Sequence, residues 1–156
     1  MADPAFAFED PRLRRFYDYW LGKCQAGRLP SRADIDPVEI PDLLPWIMLV
    51  DPVPGPEGYR FRIRLIGTGL VTRVGRDATG RFYDETLSKR DVARFTAIYT
   101  EVVKSGRPHH YRSDIDIVRL QGLEHLRYER LICPLATDGT TVDMLALIIV
   151  FLDASK

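Results

Sequence analysis

The chain has 156 residues, of which 46% are hydrophobic and 28% are charged. This composition predicts one globular domain, large enough to bury a core without disulfides or a structural metal. The 22 basic and 22 acidic side chains cancel, so we expect neither a nucleic-acid partner nor an anionic membrane partner.

The N-terminal segment and the cysteines predict a cellular compartment. Residues 1–10 lack the basic and then apolar pattern of a signal peptide, and we expect them to be flexible. The longest apolar run, 144–152, is about half the length of a membrane-spanning helix. Cys24 and Cys133 lie far apart in the sequence, as is typical of a reducing compartment. We therefore expect a cytoplasmic protein.

The first predicted element is a helix over 11–26, with Asp10 as its N-cap and Gly27 just beyond its end. Its apolar side chains recur at helical spacing and form one broad face. This face either covers the domain's own sheet or pairs two subunits. In the second case the dimer interface would consist of Leu13, Phe16, Tyr17 and Trp20.

Two predicted strands follow a loop and a helix of about two turns that begins after Asp36. The first strand, 46–50, is a continuous apolar run, typical of a strand buried on both faces. Prolines and glycines in 51–58 predict a connection. The second strand, 59–66, alternates. It places Tyr59, Phe61, Ile63 and Leu65 towards the core, and Arg60, Arg62 and Arg64 on a solvated edge.

The second half of the chain predicts two helices and then three strands. A short helix covers 67–74, and a longer one begins after the N-cap Ser88 and ends before Gly106. Strands are expected at 109–118, 125–135 and 144–152, and the last of these is apolar on both faces.

The order of elements predicts an α+β domain. The two doubly apolar strands belong inside an antiparallel sheet, and the second and third strands alternate and belong at its edges. This arrangement gives the strand order 2-1-5-4-3. The helices between the second and third strands can cover one face of the sheet, and helix 11–26 can cover the other.

Several short motifs resemble those of a bacterial family of PAS-like single-domain proteins. They are Leu29-Pro30-Ser31-Arg32, Asp36-Pro37, Leu44-Pro45, the segments 61–68 and 75–81, Tyr128-Glu129-Arg130 and Pro134-Leu135. The resemblance implies a PAS/profilin-like five-stranded sheet, a PAS-like domain over 27–153 and a pocket between the sheet and its helices. It also implies a sensory or interaction role, and it names no ligand.

The residues with which PAS sensors bind flavin or haem are missing from the expected positions of this sequence. A flavin photosensor has a reactive cysteine before the long helix, and no cysteine lies between Cys24 and Cys133. A haem sensor has a histidine on that helix, which here has none; His109 and His110, just beyond it, are the alternative ligands. We therefore expect no cofactor, no metal and no catalytic residue, and we expect Cys133 to be a buried apolar residue.

The remaining candidate site is the apolar pocket. We expect it to be lined by Met48, Ile63, Phe95, Tyr99, Val102, Tyr111, Ile115 and Arg130. A buried arginine or tyrosine hydroxyl needs a partner, and the carboxylate of a small ligand could supply it. In the alternative interpretation, these side chains satisfy one another in a closed core.

The sequence thus predicts a non-enzymatic sensory or interaction module that forms a homodimer, contacts a signalling protein and binds a small apolar or carboxylate-bearing ligand. One alternative is a small α+β-cone enzyme acting on an apolar substrate. That enzyme requires a pocket carboxylate with a raised pKa, for which the candidates are Asp84, Asp114 and Asp116. Another alternative is a homodimeric structural module without a ligand.

Overall fold

The structure is a computed structural model that describes residues 6–113 and 127–152. Its five-stranded antiparallel sheet consists of β1 (Ile47–Gly55), β2 (Gly58–Ile66), β3 (His109–Arg112), β4 (Tyr128–Leu135) and β5 (Met144–Phe151). The strands lie in the order β2-β1-β5-β4-β3. The α+β fold and the predicted strand order are therefore confirmed.

The helices pack on the two faces of this sheet. They are α1 (Pro11–Lys23), α2 (Thr68–Val74) and α3 (Lys89–Ser105), with short 3₁₀ helices at Arg32–Asp34, Pro37–Glu39, Leu44–Trp46 and Tyr83–Glu85. The two-turn helix expected after Asp36 is only the single turn Pro37–Glu39. Pro41 explains the difference, because it has no N–H to continue the helix and disfavours helical geometry at the residue before it.

Helix α1 begins where the sequence predicts and ends earlier. The Asp10 side chain accepts a hydrogen bond from the Arg12 N–H and caps the first turn. The helix stops at Lys23 rather than at residue 26. The reason is a tight turn centred on Ala26 and Gly27, which have φ angles of 51° and 76° and cannot continue a right-handed helix.

The apolar face of α1 covers what we term the outer face of the sheet. Leu13, Phe16, Tyr17 and Trp20 are at most 2% exposed and pack in one cluster with side chains of β4 and β5. The Trp20 indole Nε1 also donates a hydrogen bond to the Pro134 carbonyl at 2.9 Å. Within this chain, the four residues considered for a dimer interface therefore offer no surface to a second subunit while α1 stays in place.

The opposite, inner face of the sheet is covered by α2, the 3₁₀ helix Tyr83–Glu85 and α3. Successive residues of β5 alternate between the two core clusters: Leu145 and Leu147 pack on the inner side, Ala146 and Ile148 on the outer. All four are fully buried. The prediction that the last strand is buried on both faces is confirmed.

The predicted connection over 51–58 is wrong, because β1 continues to Gly55 and turns through only Pro56 and Glu57. The prolines of this segment are tolerated for a physical reason. β5 pairs with β1 only over residues 47–50. Beyond Val50, β1 has a single neighbour in the sheet, and proline is acceptable on such an open edge.

The facing of Leu65 also differs from the prediction. The pairing of β1 with β2 shifts between Leu49 and Val50, so that Arg64 is an extra residue in β2. Leu65 pairs with Leu49, a member of the outer cluster, and is 42% exposed. Ile66 takes the place on the inner face.

The limits of α3 agree with the prediction. The predicted strands 109–118 and 125–135 fall only partly within the described residues. Ser88 caps α3 by accepting a hydrogen bond from the Asp91 N–H, and Gly106 ends it with a φ of 68°. The expected continuation of β3 over 114–118 and the expected start of β4 at 125 lie outside the described residues. Across the described ranges, no helix has both the length and the apolar character needed to cross a membrane.

Candidate functional site

A cavity of about 150 Å³ lies between the inner face of the sheet and the elements that cover it. Five of the eight predicted residues line it: Met48, Ile63, Phe95, Tyr99 and Arg130. Their periodic positions on a helix and on strands made them predictable.

Two of the other three predicted residues do not line the cavity, and the third is not among the described residues. Val102 is buried in the inner core cluster away from the cavity. Tyr111, on β3, contacts Arg130 instead, with its ring centroid 5.5 Å from the guanidinium carbon. Ile115 lies outside the described residues.

The sequence interpretation missed the walls that α2, the Tyr83–Glu85 turn and the end of β5 supply. The additional lining residues are Ile66, Leu70, Val74, Arg76, Ala78, Tyr83, Thr86, Leu87, Tyr128, Ile149 and Phe151. The four-residue spacing of Leu70 and Val74 was the available signal for α2. Tyr83 lies in a 3₁₀ turn, where no periodicity marks the buried side chain.

Glycines bring α2 close enough to form its wall of the cavity. A Cβ atom at Gly67 would lie within 3.0 Å of the carbonyl oxygens of Leu44 and Pro45. At Gly69 it would come similarly close to Pro45 and to the Trp46 ring. Because only glycine permits this approach, the start of α2 rests directly on the Leu44–Trp46 turn, and Leu70 points into the cavity.

Two tyrosine hydroxyls meet inside the cavity. The Oη atoms of Tyr83 and Tyr99 are 2.9 Å apart, and the Tyr83 hydroxyl lies 3.9 Å from the Met48 sulfur. Burial raises the pKa of both tyrosines, and the positive charge of Arg130 opposes that rise at Tyr99. Both hydroxyls are therefore neutral at physiological pH, and each partly satisfies the other.

Among the described residues of the cavity wall, Arg130 is the one charged side chain that is fully buried, with 2% exposure. Its guanidinium carbon lies 5.5 Å from the Phe95 ring, 5.9 Å from Tyr99 and 5.5 Å from Tyr111. The Nε atom is buried without a hydrogen-bond partner. None of the ion pairs between described residues includes this arginine.

The neighbouring residue, Glu129, faces the outer side of the sheet and binds the segment before α1. Its fully buried carboxylate accepts hydrogen bonds from the N–H groups of Glu9 and Asp10 at 2.9 and 2.8 Å. The Nε2 atom of His110 lies 2.6 Å from the same carboxylate. Phe8 packs its ring against His110. Residues 6–10, which we expected to be flexible with the rest of the N-terminus, thus contact the domain.

The alternative haem ligands do not line the cavity. His110 is engaged with Glu129. The pKa of His109 is lowered by burial and then by the positive charge of Arg130, so the ring is neutral, and its buried Nδ1 has no partner. No cluster of three or more histidine, cysteine or acidic side chains suited to a metal ion occurs in the described ranges.

The remaining candidates that the structure describes lie outside the cavity. Arg60 forms two hydrogen bonds with Asp84 and holds the pKa of that carboxyl below its usual value. Arg62 and Arg64 both pair with Asp51. Cys133 is fully buried, and burial raises the pKa of its thiol. Asp114 and Asp116 lie outside the described residues.

The comparison with protein families agrees with this architecture. A family model described as PAS domain matches residues 8–149, which include both helical layers, most of the sheet and all the described lining residues of the cavity except Phe151. A search of curated proteins finds no match. A match over this much of the chain, together with the strand order 2-1-5-4-3, shows that the chain belongs to the PAS domain family.

Proposed function

We propose that the protein is a non-enzymatic sensory module that binds a small, largely apolar molecule in the cavity between its sheet and α3. The cavity itself is the observation that supports this proposal. A volume of about 150 Å³ is large for a domain of this size, because protein interiors are packed with few voids larger than a water molecule.

The chemistry of the cavity wall favours an apolar occupant over water. Side chains such as Met48, Leu70 and Ile149 offer water no hydrogen bonds. A cavity of roughly this volume with a largely apolar wall accepts a benzene-sized molecule. Filling it would remove apolar surface from water and stabilise the fold.

The described wall supports binding rather than catalysis. It includes no carboxylate, and its tyrosine hydroxyls stay neutral because burial raises their pKa. Asp84, one of the three candidates for the pocket carboxylate of the enzyme alternative, lies in an exposed pair with Arg60 and has a lowered pKa rather than a raised one. General acid–base chemistry needs a group whose pKa lies near the working pH.

A homodimer remains a prediction from the family resemblance. The structure adds one constraint, since the apolar face of α1 is buried on its own sheet. A dimer through this face requires α1 to be exchanged between subunits. Sedimentation of the purified chain measures the assembly directly.

We propose that the signal passes to a partner protein by contact, as it does in PAS domains that bind proteins.

The proposal is tested by native mass spectrometry of the purified full chain, compared with its mass after denaturation. We expect retained small molecules, or rebinding of apolar probes such as octan-1-ol after they are stripped. Ile149→Trp places a large ring in the cavity and should abolish binding. Leu65→Trp adds the same ring on the outer face and should leave binding unchanged.

Two results would contradict the proposal. One is a wild-type protein that neither retains a small molecule nor binds any apolar probe. The other is equal probe binding by the Ile149→Trp and Leu65→Trp variants, which would place the bound molecule outside the cavity.

A further inference from the structure

We propose that the ligand of this cavity is a small apolar carboxylate whose carboxylate group binds the guanidinium of Arg130. The inference rests on the proposed function and deepens it, because it names the chemical class of the ligand. It depends on Arg130, because a closed apolar core would not be expected to contain a charged side chain.

Arg130 brings a guanidinium cation to the wall of the cavity. The side chain is 2% exposed, lines the cavity and leaves its Nε without a hydrogen-bond partner. A buried charge without an opposite charge is strongly unfavourable. No described side chain forms an ion pair with Arg130, and we therefore expect the ligand to supply the second charge.

The surroundings of Arg130 hold the guanidinium in place and leave its Nε–H without a partner. The rings of Phe95, Tyr99 and Tyr111 all lie within 6 Å of its central carbon. Such cation–π contacts favour the charge but accept no conventional hydrogen bond. A planar guanidinium held in this way matches the two oxygens of a carboxylate.

The tyrosine pair offers a further donor to the same carboxylate. When Tyr83 donates to Tyr99 across their 2.9 Å contact, the hydrogen of the Tyr99 hydroxyl is free. That hydroxyl belongs to the cavity wall, as does Arg130. The two groups together resemble a built carboxylate subsite on an otherwise apolar surface.

The apolar part of the ligand has room along Met48, Leu70 and Ile149. The volume of about 150 Å³ limits it to a small ring or a short aliphatic chain. Ile149 and Phe151 line the cavity and are partly exposed, so this end of the cavity reaches the surface. We infer that the carboxylate binds at the buried end and the tail extends towards β5.

The experiment compares octanoate with octan-1-ol, which has the same chain length and no charge. Binding of each probe to the full-length protein, stripped of bound molecules, is measured by titration calorimetry at pH 7. We expect octanoate to bind at least about tenfold more tightly than octan-1-ol. Arg130→Met should lower octanoate affinity to that of octan-1-ol and change octan-1-ol affinity less than about twofold.

Two further variants test whether octanoate binding depends on the planar shape of the Arg130 guanidinium and on its place in the cavity. Arg130→Lys keeps the charge but loses the planar fork, so its octanoate affinity should fall between those of the wild type and Arg130→Met. Arg62→Met removes an outer-face arginine that pairs with Asp51 and should leave octanoate affinity unchanged. The wild-type comparison of the two probes needs no variant and stands if Arg130→Met does not fold.

The outcomes distinguish the two proposals. Equal binding of octanoate and octan-1-ol would overturn the carboxylate assignment while leaving the cavity function supported. Undiminished octanoate binding by Arg130→Met would also overturn the assignment. Binding of neither probe would overturn the assignment and the proposed function together.

Discussion

Trp20 shows how much of the outer core depends on one side chain. It is 1% exposed, packs in the outer cluster and donates a hydrogen bond to Pro134. We expect Trp20→Asp to abolish folding, because it leaves a cavity worth about 3–5 kcal/mol and buries a charge. Trp20→Phe, the control, keeps the ring and loses the hydrogen bond, at about 1 kcal/mol. Urea unfolding followed by circular dichroism gives both values.

A folded Trp20→Asp protein of native stability would contradict the position of α1 on its own sheet. The same result accompanied by a change from dimer to monomer would instead favour α1 as a subunit interface. Sedimentation of the variant separates these two results.

The buried tyrosines predict a loss of stability at alkaline pH. Burial raises the pKa of Tyr83, Tyr99 and Tyr128 in the folded chain above the ordinary value of 10.0. The unfolded chain therefore releases these protons first. Their contribution to stability is complete below about pH 9 and decreases as the pH rises through 10, by up to about 1.4 kcal/mol per pH unit for each group.

Tyr83→Phe tests the origin of this effect, because it removes one titrating hydroxyl and keeps the ring. The free energy of unfolding, measured in urea between pH 8 and pH 11, should fall less steeply in the variant than in the wild type. Cys133, whose raised pKa acts in the same direction, is present in both proteins and drops out of the comparison. Equal slopes would mean that Tyr83 is not buried as described.

At the scale of elements, local signals predict helix limits better than strand limits. The capping residues Asp10 and Ser88 lie next to the turns that they cap, so their roles follow from the sequence alone. The extent of β1 depends instead on where β5 stops pairing, which no local pattern encodes. The facing of Leu65 depends in the same way on a bulge created by two strands together.

The contact of α2 with the Leu44–Trp46 turn predicts a sharp effect at Gly67. A Cβ at this position would meet two backbone carbonyl oxygens, which cannot move aside as a side chain can. We expect Gly67→Ala to destabilise the fold by about 1–3 kcal/mol and to weaken binding in the cavity, because α2 must shift. Thermal unfolding and octan-1-ol titration measure the two effects.

Gly22 supplies the matched control for this substitution. It lies in α1, and a Cβ there would meet nothing within 4 Å. Gly22→Ala should therefore leave stability unchanged or raise it by up to about 1 kcal/mol through helix propensity. A smaller effect at Gly67 than at Gly22 would refute the close packing of α2.

At the scale of the whole molecule, the sheet needs a helical layer on each face. Leu131, Leu135 and Ile148 are fully buried beneath α1, in the same cluster as its apolar face. We expect a chain that lacks residues 1–26 to aggregate or to lose cooperative unfolding. Size-exclusion chromatography and thermal unfolding test this, and a stable monomeric truncated chain would show that α1 is dispensable.

The sequence predicts only part of the cavity wall, because the rest of the wall depends on how distant segments of the chain pack together. The periodicity of α3 and of the strands places Phe95, Tyr99 and Arg130 on the inner face. Tyr83 and Leu70 join them because separate segments fold back over the sheet. The spacing of Leu70 and Val74 indicates an apolar helix face but not the cavity that it covers, and Tyr83 has no such spacing. A burial pattern can thus indicate which face is apolar, but not which segments meet above it.

The extra residue in β2 makes the strand tolerant of a change in length. Losing Arg64 would close the bulge, and Ile63 and Ile66 would still face inward with Leu65 outward between them. Deleting Phe61 would instead turn the side chains of residues 58–60 to the opposite face of the sheet, because side chains alternate between the faces along a strand. A deletion mutant at residue 64 should therefore fold with its cavity wall intact, having given up only the ion pair of Arg64 with Asp51.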